Sequence, residues 1–242
     1  VHSLADAKRM REALGALDLC VVIDIAMTET AREADYILPA ASQYEKTEMA
    51  FFNFEFPENC AHLRGPLMAP LPGTLSEPEI HARLLEAVDP FDPADLEPLH
   101  QAAADGLDAY ATAFARAAKG NPKINQYGAY VLYRTLGPSL PDGMAEGAAL
   151  WAISQMFAAT EGLSLARAGF DGPPATAGNK LFSALIEAQS GVVFSIDEPD
   201  ASFHRNRLPG GMVNLHIPEM LDKVKELATF EAFFKTFGFK RI

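Results

Sequence analysis

Leu4, Met10, Leu14 and Leu17 fall on one stripe of a helix that Ser3 can cap, with Asp6 three residues on to reach back. The spacing predicts an amphipathic helix ending near Gly15. Leu19, Cys20, Val21, Val22, Ile23 and Ile25 then form a nearly continuous apolar run, interrupted only by Asp24 near its carboxyl end. Such a run predicts a strand covered on both faces in a parallel sheet. Thr28 to Ala34 reads as a short helix capped by Thr28, and Tyr36, Ile37 and Leu38 as a second strand halted by Pro39. Helix, strand, helix, strand implies a doubly wound α/β sheet.

From Ser42 to Pro72 the pattern becomes irregular, with Phe51, Phe52, Phe54 and Phe56 and four prolines. It reads as a long ordered loop that packs aromatics. Glu79 to Val88 is helical, a Pro- and Asp-rich joint runs from Asp89 to Pro98, and an alanine-rich helix follows to about Lys119. Further helices are predicted over Tyr127–Leu136, Met144–Ala159 and Asn179–Gln189. Gly191 to Ile196 is a β-branched strand, Pro209-Gly210-Gly211 a turn, and Pro218 to Leu227 a last helix. The cluster Phe230, Phe233, Phe234, Phe237 and Phe239 is too apolar to stay exposed and is expected to dock against a domain outside the chain.

Composition narrows the function. The chain has 242 residues, 49% hydrophobic and 21% charged, enough for a real core. A formal net charge of -12 argues against nucleic acid as a partner, because that role needs clustered Lys and Arg. Two cysteines, Cys20 and Cys60, form no Cys-x-x-Cys pair and read as buried thiols. The six histidines show no metal spacing and no Gly-x-Ser-x-Gly elbow occurs, so no metal-ligating or nucleophilic residue is assigned. His204-Arg205-Asn206-Arg207 reads as solvated surface. No apolar run approaches the roughly 20 residues of a membrane span, so no membrane insertion is expected. The chain opens at Val1 without an initiator Met, as though cut upstream, which leaves the compartment open with the cytoplasm favoured.

The densest chemical signal is Val21 to Ala31, a buried strand ending in a carboxylate and followed by a Thr-capped helix start. Ligands of open α/β sheets bind beyond the carboxyl ends of strands, where Asp24 can accept hydrogen bonds from a ribose or from the N–H edge of guanine. The helix start offers backbone N–H groups, and Thr28 and Thr30 add hydroxyls that suit a phosphate or sugar. The plainer reading is that Thr28 only caps its helix and that Lys46 is a solvated lysine paired with Glu45 or Glu48.

Val21 to Ala31, then Ala34-Asp35-Tyr36-Ile37-Leu38-Pro39-Ala40-Ala41, then Glu45-Lys46, resembles the molybdopterin oxidoreductase family, which includes formate dehydrogenases and periplasmic nitrate reductases. The resemblance extends to Val1–Leu17, to Leu71-Pro72-Gly73 with Glu77 and Ile80, and to Leu208–Leu215, and is weak across the helical middle. It implies an α/β fold, a three-layer Rossmann-like parallel sheet segment with a mainly helical insertion. Residues 1–90 would be the Rossmann-like part, 91–190 the insertion, and 191–242 a return strand and helix leading to a pterin-binding domain outside the chain.

The resemblance also implies a cofactor, molybdopterin guanine dinucleotide carrying molybdenum or tungsten, with a 4Fe-4S cluster upstream. The segment matching Ile23-Asp24 would lie against the guanine nucleotide, with Thr28 beside it, Lys46 would contact the cofactor, and Glu77 would take the place of the family's Asp after its Pro-Gly pair. Two departures stand out. Thr47 follows the Glu-Lys pair where relatives usually have glycine, and the spacing before Glu77 is one residue shorter. The metal-ligating residue would lie upstream, so no catalytic residue is assigned. Implied partners are the remainder of the chain, a small redox substrate and an electron-transfer subunit. Alternatives are a noncatalytic scaffold resembling the large peripheral-arm subunit of NADH dehydrogenase, and an ordinary nucleotide-binding α/β protein in which Asp24 meets a ribose.

Overall fold

In the computed structural model, residues 6–50, 55–188, 190–200, 208–212 and 216–226 are described. They belong to two compact units, Val1–Asp197 and Glu198–Ile242. Ser3, Phe51, Phe52, Phe54, His204–Arg207, Val213–Leu215 and the Phe230–Phe239 cluster lie outside the described residues.

The first unit opens with helix α1 (Ala7–Gly15), capped by Asp6, whose side chain accepts from the Arg9 amide at 3.2 Å. Strands β1 (Val21–Asp24) and β2 (Tyr36–Pro39) pair in parallel, Asp24 opposite Pro39. The Asp35 side chain bonds the Cys20 amide while the Cys20 carbonyl accepts from Asp35 and Tyr36, which fixes the register at the start of the pair. This parallel element gives the α/β class that the apolar runs imply, but it is small and its faces are only partly covered. Val21 is 45% exposed and Ile25 64%, so β1 is not the fully enclosed strand its composition suggests. The connection between the strands is a single 3-10 turn, Ala31–Glu33, rather than a helix from Thr28 to Ala34.

The region read as an aromatic loop contains two strands. Strands β3 (Glu48–Ala50) and β4 (Glu58–Arg64) join β5 (Val192–Ile196) in an antiparallel sheet of order β3-β4-β5. Along β4, Asn59, Ala61 and Leu63 are buried and Glu58, Cys60 and His62 exposed, a clean period of two. Only Leu63 among the inward residues is large and apolar, so hydrophobicity does not announce the alternation. Asn59 is tolerated inside because its amide donates to Ser195 Oγ and Asp197 Oδ2, each at 2.9 Å. Of the two thiols, Cys20 is buried and Cys60 exposed. Phe56, the described member of the aromatic cluster, is 58% exposed rather than packed.

Helices α2 (Glu77–Val88), α3 (Pro93–Asp105), α4 (Leu107–Gly120), α5 (Pro122–Gln126), α6 (Gly128–Thr135), α7 (Ala149–Thr160), α8 (Gly162–Arg167) and α9 (Pro174–Glu187) fill the middle. Helix α3 begins before Pro98, not after it, because Asp92 accepts from the Ala94 amide at 2.9 Å and Pro93 occupies the first turn. Gly106, at φ 109, then separates α3 from α4 inside what composition suggests is one helix. A first core joins α3, α4, α6 and α7 through Leu99, Tyr110, Val131 and Trp151, with Phe182 of α9. A second packs Leu165, Leu181 and Leu185 against Ala61 of β4.

In the second unit, Pro209–Gly211 forms a 3-10 turn, with Gly210 and Gly211 at φ 70 and 66, and helix α10 spans Pro218–Glu226.

Within the first core the Thr135 hydroxyl donates to the Val131 carbonyl at 2.7 Å, so the Tyr110 hydroxyl, 2.7 Å away, is the donor to Thr135. Burial pushes the Tyr110 phenol up to about 12, which keeps it a donor throughout the accessible pH range. Thr135→Val strands that buried hydroxyl and is expected to cost about 1–3 kcal/mol. Tyr110→Phe removes the donor itself and is expected to cost only about 1 kcal/mol. Urea denaturation of both variants checks the order, and an equal or reversed ranking contradicts the donor assignment.

Candidate functional site

At the carboxyl end of β1 the chain turns sharply. Asp24 accepts from the Ala26 amide (3.3 Å) and from the Thr28 hydroxyl (2.8 Å). The same hydroxyl oxygen accepts from the Ala31 amide at 3.2 Å, and the Thr28 carbonyl accepts from Arg32. Thr28 is therefore the post around which the 3-10 turn is wound. The Thr28 hydroxyl, with the nearby amides, holds the Asp24 carboxyl below the usual carboxylate range. Asp24 is thus an acceptor-only anion at neutral pH, and each oxygen keeps lone pairs beyond its one internal bond.

The segment after β1 is not a helix N-terminus able to cradle phosphate. Three residues of 3-10 turn carry little dipole, and the Thr28, Ala31 and Arg32 amides are already bonded within the turn. Thr30 stands before the turn with no side-chain capping bond. Ile23 is half-buried and opposite Leu38 in the sheet.

Beyond β2 the sheet is prolonged by one more position. Ala40 forms a parallel bridge with Leu75, the Ala41 amide donates to the Leu75 carbonyl at 2.8 Å, and the Leu75 amide to the Pro39 carbonyl at 3.2 Å. Helix α2 begins two residues later, so Glu77 starts at the same carboxyl edge that Asp24 closes. There Lys46 Nζ donates to both Glu77 oxygens at 2.5 Å, and Glu48 lies at 4.0 Å. The Lys46 side chain is only 13% exposed. The shorter spacing before Glu77 does not keep its carboxylate from Lys46.

Glu45 does not pair with Lys46. Its carboxylate is buried, accepting from the Ser42 amide at 2.7 Å and from the Leu71 amide at 2.9 Å. Those amides, Ser42 first, hold the Glu45 carboxyl below its ordinary range. Thr47 is buried and donates to the Gly143 carbonyl at 2.6 Å. The hydroxyl thereby ties the Lys46 segment to the turn before α7. Gly143 has φ 77, and a Cβ there would sit 2.7 Å from Pro66, so glycine is required where Thr47 docks.

Of the five residues assigned from sequence, the structure brings together Asp24 with Thr28, and Lys46 with Glu77. No hydrogen bond joins the two pairs among the described residues. Sequence reasoning misses Glu45 and Thr47 as positioning residues, since a buried carboxylate that binds backbone amides looks in sequence like any surface glutamate.

Residues 1–57 match the molybdopterin oxidoreductase family model. No curated protein and no solved structure matches the chain. The matched segment contains both parallel strands, Asp24, Thr28 and Lys46, and ends before Glu77. The match covers 57 of the 242 residues.

A carboxylate held by amides binds its proton less readily than the same group in the unfolded chain. The Glu45 tether is thus present above the ordinary carboxylate range and is lost as pH falls through its depressed folded value. Hydrogen exchange at Leu71 and Ser42 is expected to accelerate, after correction for intrinsic rates, across that acidic window and at all pH values in Glu45→Gln. Protection that is flat with pH and unchanged in the variant contradicts the tether.

Proposed function

We propose that this chain forms part of the cofactor cradle of a molybdopterin-dependent oxidoreductase, of the kind represented by formate dehydrogenases and nitrate reductases. The cofactor is a bis-molybdopterin guanine dinucleotide holding molybdenum or tungsten. The observation that supports the reading is the match of residues 1–57 to the family, a segment that holds the ionised Asp24 at the carboxyl end of β1 and Lys46, itself paired with Glu77 where α2 begins.

The donor set fits such a group. Asp24, kept ionised by Thr28, offers carboxylate lone pairs that suit the N–H edge of guanine, with Ile23 beneath it in the strand. Lys46 is already neutralised by Glu77, with Glu48 adding further negative charge nearby. A pair without net positive charge favours a neutral heterocycle that both donates and accepts over a bare phosphate. Lys46 and Glu77 are accordingly assigned to the pterin part of the cofactor, Lys46 donating and Glu77 accepting. Glu45 and Thr47 hold Lys46 from behind. When bound, the cofactor supplies two-electron redox chemistry at the metal, often with transfer of an oxygen atom. Electrons would pass to a 4Fe-4S cluster and an electron-transfer subunit outside these residues.

In the complete enzyme, Asp24→Ala is expected to lower affinity for the cofactor about tenfold or more, the scale of a lost charged hydrogen bond. Metal and pterin content per chain reads this directly, with circular dichroism to show that the fold persists. Lys46→Met is expected to lower the same content and Glu45→Gln to do so less. Full metal and pterin loading in both Asp24→Ala and Lys46→Met would refute the cradle.

A further inference from the structure

We draw no further inference here: the strongest candidate, the apolar cavity of about 200 Å³ that Met49, Ala61 and Phe194 of the β3-β4-β5 sheet form with Ile153 and Met156 of α7 and Leu185 of α9, carries nothing because nothing among the described residues shows what covers it.

Discussion

Two amides held by one carboxylate organise the front of this protein. Glu45 bonds the backbone of Ser42, three residues before it, and of Leu71, 26 residues after it, and so closes the long excursion that leaves the parallel sheet after β2. With Leu71 pinned, Leu75 can return beside Ala40 and prolong the sheet by one position. Helix α2 then has to start at the carboxyl edge, and Glu77, its first residue, meets Lys46, the residue next to Glu45. Neither half of the candidate site would face the other without that closure, because a long stretch of loop and strand separates them in the chain. Side-chain bonds to buried backbone groups are well suited to this task. An unmet amide inside a protein is expensive, so the loop has few other conformations that satisfy both.

Much of this front is legible in the amino-acid pattern. The apolar run before Asp24 and the halt at Pro39 locate both parallel strands to within a residue or two. Asp24, Thr28, Lys46 and Glu77 stand out as candidates in the sequence, and in the fold they form two bonded pairs. The features that stay hidden have particular causes. Strand β4 alternates correctly, but its inward positions begin with Asn59, whose burial depends on Ser195 and Asp197 far along the chain. No local window contains that information. The helix expected after β1 shrinks to a 3-10 turn because Asp24 and Thr28 bond each other and the nearby amides, a competition typical of short polar side chains near strand ends. Pro98 suggests a helix boundary, yet the stronger start signal is the Asp92 cap and Pro93 upstream.

The two departures from the family pattern gain a physical meaning from the fold. Thr47 uses its hydroxyl to reach Gly143, so the Lys46 segment is fastened to the helical middle rather than left to a flexible glycine. The shortened approach to Glu77 ends with the carboxylate on Lys46 all the same. Both departures bear on how Lys46 is held, and Thr47 trades backbone freedom for a specific bond. The helical middle is thereby structurally coupled to the Lys46 segment even though its own sequence bears little resemblance to the family.

Charge pairing around α2 then separates two kinds of acid. Glu79, Glu86 and Asp89 are matched by Arg134 and Lys123, and their tyrosine bonds hold α6 against α2. Glu77 faces the opposite way in function, toward Lys46, where an ion pair without net positive charge is a better receptor for a polar ring than for a phosphate.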